Sequence, residues 1–297
     1  MIELKTEQLS VQFQTFGGAL SSIKDKDGIE YLWQGDPTYW SGQAPVLFPI
    51  CGSVRNDTVL YDQEDGSQVK GKIPRHGLVR KKEFELVEQT ENSVTFAIED
   101  DQDMYESYPY HFRLEITYTV TGKTIRTQYQ VTNKETDKKM PYFIGGHPGF
   151  NCPLFDDEAY EDYYLEFEKP ETCTVPKPFP ETGMLDFQDR SSWLKEQKEL
   201  DLNYDFFSYD AVTLDELASR SVSLRSRKHD KGLKLDFEEF PNLIVWSTLN
   251  KGPFLALEPW SGLSTSLEEG DHLEDKKNVR ILNPAQSDQI GFDIEIF

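Results

Sequence analysis

Apolar and polar positions alternate with a period of two along most of the chain. LSVQFQTF, SVTFAIED, FRLEITYTV, TIRTQYQVTN, DYYLEFE, SVSLRSR, LKLDFE, NLIVWSTL and IGFDIEIF are rich in Val, Ile, Thr, Tyr and Phe, with polar or charged residues interleaved. That period belongs to strands with one buried face, and turn residues separate the segments. Helical periodicity is scarce. Short helices are expected at Asp101–Tyr108 and Ser191–Lys198, the second opened by a serine that could cap it. The Pro-dense stretch from Lys169 to Thr182 reads as a long surface loop, able to serve as a lid. No internal repeat, low-complexity tract or Gly/Ser/Pro-rich linker divides the chain. The pattern therefore predicts one all-β domain over residues 1–297, with antiparallel sheets stacked face to face.

Composition narrows the class of partner. A formal charge of -22, from 31 basic and 53 acidic residues, repels nucleic acid and anionic membranes, so neither is expected as a partner. The three cysteines, Cys51, Cys152 and Cys173, lack CxxC spacing and suggest no disulfide framework. With no signal-like start in MIELKTEQLS and no apolar run near the roughly 18 residues of a spanning helix, a cytoplasmic setting is expected.

Chemistry concentrates in a few places. Of five histidines, His111, His229 and His272 lie at a strand start or in charged turns and read as solvated residues. His76, in IPRHGLVR, and His147, in YFIGGHPGF, sit beside glycine and proline, where the backbone bends rather than packs. Each alone fits a turn histidine bonded to a carbonyl as well as a catalyst. Glu258, in PFLALEPWSG, ends an otherwise apolar strand beside the bulky Trp260. A central strand would desolvate this carboxyl and push its pKa up toward that of a general base. Asp210, in FFSYDAVTL, is a second acid in an aromatic setting. After the apolar run APVLFPICG, Arg55 and Asn56 present planar donors suited to hydroxyls or an anion. Trp33, Tyr39, Trp40 and Phe48 are aromatic faces suited to sugar rings or to core packing. No histidine has an acid two positions away within an alternating strand, so no metal is expected. Phosphate-loop and GxSxG signatures are absent.

The ordered set Gly17-Gly18, APVLFPICGSVRND, PRHG, GGHPGF, FFSYDAV and PFLALEPW resembles the aldose 1-epimerases, or galactose-mutarotase-like proteins, and among them the LacX-like bacterial branch. The resemblance spans nearly the whole chain. It implies a large antiparallel β-supersandwich with few short helices, no cofactor, and interconversion of the α and β anomers of an aldose. By the same resemblance Glu258 is the general base and His147 the general acid. His76 hydrogen-bonds the sugar near its ring oxygen, and Arg55 and Asp210 bind sugar hydroxyls, with Asn56 and Trp260 beside them. The chain departs from galactose-specific members at Arg55-Asn56-Asp57, His147-Pro148-Gly149 and Glu258-Pro259-Trp260. The expected ligand is thus a small-molecule sugar, with its identity and the oligomeric state left open.

Three competing readings remain at this level. One is a sugar sensor of the same fold without catalysis. Another is a glycoside hydrolase or lyase using Glu258 and Asp210 as its carboxylate pair. The third is an epimerase for phosphorylated hexoses, suggested by the run Lys70–Lys82, which has six basic residues and no acid. A solvated loop face explains that run too.

Overall fold

The computed structural model describes residues 2–62 and 66–297. Its largest element is a nine-stranded antiparallel sheet. The spatial order is Met184–Asp201, Tyr163–Phe179, Ser221–Ser226, Gly232–Asp236, Ser287–Ile296, Thr124–Asn133, Phe112–Thr121, Ser93–Glu99 and Glu85–Gln89. The predicted alternation is realised in its central strands. Phe112–Thr121 and Thr124–Asn133 bury every second residue, and their register sets Ile116 opposite Tyr129 and Tyr118 opposite Thr127. A one-residue slip would turn every apolar side chain to water, so the pattern fixes the pairing.

A six-stranded antiparallel sheet lies over this one. Val212–Leu214, Asn242–Trp246, Phe254–Trp260, Gly145–Gly146 and Val46–Leu47 follow in order, and Gly149–Asn151 also pairs with Phe254–Trp260. Every residue of Phe254–Trp260 is buried, as befits a strand covered on both faces. The two sheets approach closely. A Cβ on Gly146 would lie 2.8 Å from the Phe292 ring, and Phe48 packs on Phe112 with ring centroids 4.8 Å apart. Core residues from Leu4 to Ile296 form one continuous apolar cluster. Among the described residues the helices are short: the α-helix Gln102–Ser107 and four single-turn 3₁₀ segments. No helix is long and apolar enough to cross a membrane.

One expected helix forms, and two other local expectations are corrected. The helix at Asp101–Tyr108 forms as Gln102–Ser107, with the Asp101 carboxylate accepting the Met104 N–H at 2.8 Å. Ser191–Lys198, by contrast, lies within the strand Met184–Asp201, where Leu194 faces Cys173 and Ser191 faces Val175. Its helix-forming residues yield to the open edge of the neighbouring strand, which supplies the backbone partners. That neighbour runs through the Pro-dense stretch as Tyr163–Phe179, so most of the expected loop is strand. Beyond Phe167 it pairs on one side only, with register shifts along the way, and such an edge tolerates residues lacking an N–H.

Two glycines with nearly the same backbone angle separate strain from crowding. Gly28 has φ +84 and open space where a Cβ would go. Gly77, next to His76, has φ +83, and a Cβ there would sit 2.0 Å from the Phe48 carbonyl oxygen. Gly28→Ala should cost about 1 kcal/mol, the left-handed strain alone. Gly77→Ala should cost about 2–4 kcal/mol, because the backbone must also move. Urea unfolding of the two variants checks this, and equal losses would refute the steric account.

Candidate active site

Glu258 lies within the fully buried strand Phe254–Trp260, paired opposite Ile244, and its side chain turns into a cavity of about 220 Å³. His147 reaches the same cavity from the break between Gly145–Gly146 and Gly149–Asn151, its backbone N–H donating to the Pro45 carbonyl at 3.1 Å. His147 Nε2 and Glu258 Oε2 are 3.3 Å apart. They are not aligned as a hydrogen bond, and Glu258 Oε2 and His147 Nδ1 are buried without any other partner. Burial, the dominant cause in both, acts oppositely on the two groups. It raises the Glu258 pKa well above the usual carboxyl range and holds the His147 pKa well below that of a free imidazole. Burial thus favours the neutral form of each group, a protonated carboxyl beside an uncharged imidazole.

Aromatic rings pack around this pair. Trp40 stacks on the His147 imidazole at 4.8 Å, and Trp246 meets it edge-on at 5.5 Å. The space left by the small residues flanking His147 is taken up by protein rings. A Cβ on Gly145 would strike Trp260 at 2.8 Å, one on Gly146 would strike Phe292, and one on Gly149 would strike Trp40 at 2.8 Å. The glycines make room for protein rings, and two of these, Trp40 and Trp260, form part of the cavity wall.

His76 takes a left-handed conformation, φ +69, and is anchored by its N–H to the Gly52 carbonyl at 2.7 Å. Its Nδ1 accepts the Gly52 N–H at 3.3 Å, which leaves Nε2 as the protonated nitrogen and a donor. Burial first, then the charges of Arg75 and Arg80 along with His147, holds its pKa well below that of a free imidazole. The His76 ring lies 5.4 Å from that of His147 and 5.5 Å from that of Trp260. Asp210 closes another side. Its carboxylate accepts the Ala211 N–H at 2.8 Å and faces Arg75 Nη2 at 3.4 Å.

The cavity thus brings together Glu258, His147, His76, Asp210 and Trp260 of the expected set. It does not include Arg55 or Asn56. The Arg55 guanidinium bonds Asp271 at 2.9 Å and the carbonyls of Ser266 and Glu269, and Asn56 is exposed. The cations lining the cavity are instead Arg75 and Arg80. Sequence reasoning had marked the basic run that carries both, without singling either out. The other histidines lie outside the cavity, each facing a carboxylate: His111 with Asp100, His229 with Glu158 and His272 with Asp62. Among the described residues, no cluster of three or more His, Cys, Asp or Glu could hold a metal ion. All three cysteines are buried and unpaired.

The pattern of the aldose 1-epimerase family matches residues 1–280. Protein LacX of Lactococcus lactis subsp. lactis, in its chromosomal and its plasmid form, is 62% identical over 295 residues, covering 99% of both chains. Among solved structures, a galactose mutarotase related enzyme from Lactobacillus acidophilus superposes with a TM-score of 0.90 at 27% identity, covering 100% of this chain and 97% of that one. A galactose mutarotase-like protein from Lactobacillus casei gives 0.89 at 27% identity over the full length of both. With this match over most of its length and relatives at 62% identity, the chain belongs to the aldose 1-epimerase family.

Proposed function

We propose that the protein is an aldose 1-epimerase that interconverts α and β anomers by opening and reclosing the sugar ring between Glu258 and His147. The observation that carries this reading is the 3.3 Å approach of a buried carboxyl to a buried imidazole at the wall of a sugar-sized cavity. A sensor has no need of such a pair, because burying a carboxyl oxygen without a partner is costly and adds nothing to recognition. A glycosidase would need two carboxyls acting across one bond, whereas the group facing Glu258 is His147 and Asp210 is engaged by Arg75.

The protons balance with one proton on the pair. Moving it from Glu258 to His147 creates a carboxylate and an imidazolium. Glu258 then takes the proton from the C1 hydroxyl while His147 gives one to the ring oxygen, and the C1–O5 bond breaks as the carbonyl forms. The pair returns to its resting protonation at the open-chain sugar. Half a turn about C1–C2 exposes the other carbonyl face, and the same transfers in reverse close the ring. Trp40, stacked on His147, offers its ring face to the transient imidazolium. His76 Nε2–H donates to the sugar near its ring oxygen, and Asp210 accepts from a hydroxyl.

NMR anomer exchange or polarimetry on freshly dissolved aldoses tests the assignment. Glu258→Gln and His147→Asn should each lower the catalysed rate by about 10²–10⁴-fold. Rates that survive both substitutions would sink the mechanism.

Stability should move the other way. The Glu258 pKa is raised in the folded state, so above the unfolded value of about 4.3 the unfolded chain releases a proton that the fold retains. Wild type therefore loses stability from this group as pH rises from about 4.3 toward the folded pKa. Glu258→Gln escapes that loss and should melt higher than wild type at pH 7–8, with the gap closing near pH 4. Calorimetric melting across that range is the check, and a pH-independent gap would contradict the assigned protonation.

A further inference from the structure

Arg80 is the anomaly of the cavity. Each of the other nine arginines among the described residues donates to a carboxylate or a carbonyl. Arg80 does neither, although its side chain is partly buried and lines the cavity beside His76 and His147. Arg75, the second guanidinium there, has only its 3.4 Å approach to Asp210. In a chain with a net charge of -22, carboxylates are abundant, yet none among the described residues is paired with Arg80. The rest of the basic run does not contribute: Lys82 pairs with Asp101 at 2.6 Å, and Lys70, Lys72 and Lys81 are exposed.

From this juxtaposition we infer that the substrate is an aldose carrying an anionic substituent, a phosphate monoester or a carboxylate, whose charge is received by Arg80 together with Arg75. The inference rests on the epimerase reading for the reacting end of the sugar. The charge must lie away from C1, because the O1 proton is the one Glu258 removes. Guanidinium forks suit both anions, since each offers paired oxygens to parallel N–H donors.

The charges also act on the chemistry. Burial is the main cause of the low proton affinity of His76 and His147, and the two arginines depress both further. Arg80 itself is held below its ordinary value by burial and by Arg75. An anion on the guanidiniums offsets that field and favours the protonated form of His147 that ring opening requires. A charged substrate should therefore gain in kcat as well as in KM, where a purely structural arginine would alter neither selectively.

The test compares D-glucose and D-galactose with their 6-phosphates and uronic acids in NMR exchange, using wild type, Arg80→Ala and Arg80→Lys. Wild type should favour at least one charged form over its neutral parent by about tenfold or more in kcat/KM. Arg80→Ala should lower kcat/KM for that form at least about tenfold more than for the parent, and Arg80→Lys should recover part of the difference. Whichever charged series wins separates phosphate from carboxylate. Equal turnover of charged and neutral sugars by wild type, or an unmoved ratio in Arg80→Ala, overturns the inference while leaving the epimerase reading intact. Titration of the Glu258→Gln protein by tryptophan fluorescence reads binding without catalysis. Arg80-dependent preference for a charged sugar there supports the inference even if wild type exchanges no anomers, and no preference there overturns it.

Discussion

The contact between Glu258 and His147 is the constraint around which the cavity is organised. A carboxyl in the middle of a fully buried strand has no water to solvate its charge, and an imidazole walled by indoles has none either. One cause thus moves two proton affinities in opposite directions, toward a protonated carboxyl beside a neutral ring. In water the same pair would rest as separated ions. Burial inverts this order and favours the neutral carboxyl beside the neutral imidazole.

Holding such a pair demands a rigid frame, and the paired sheets supply it. The strand carrying Glu258 is held on both sides, through Ile244 opposite Glu258 and Gly149 opposite Ala256, two residues before it. His147 sits where two very short strands leave the sheet register, so its side chain enters the cavity while the glycines and Phe150 around it stay in the core. The approach of Trp40, Trp260 and Phe292 to those glycines wedges the segment from three directions. Packing density here sets the position of the His147 imidazole as well as stabilising the fold.

How far the sequence discloses this can be judged residue by residue. Strands such as Phe112–Thr121 and Thr124–Asn133 are legible because burial on one face imposes a period that survives in the residues themselves. The strand Met184–Asp201 is not, because its exposed side chains impose no period and its conformation comes from the edge it extends. Glu258 is legible as a charge in an apolar run, and His76 and His147 by their glycines. The purpose of those glycines is not, since Trp40 and Phe292 lie far from His147 in sequence. Arg55 misleads for a related reason. A loop-tip arginine is equally suited to a ligand or to a carboxylate of its own chain, and only the fold brings Asp271 within 2.9 Å of it.

The basic residues at the cavity complete the electrostatic account. Had Arg80 served only to hold the wall, a carboxylate or carbonyl would satisfy it, as they do Arg190 and Arg280. The field of Arg75 falls on Glu258, where it opposes the effect of burial, and the fields of Arg75 and Arg80 both fall on His147, where they add to it. For a proton passing between Glu258 and His147 the two effects of Arg75 oppose each other, whereas the effect of Arg80 is felt at the imidazole. An anion held by Arg80, as inferred above, would act on the pair through its His147 side.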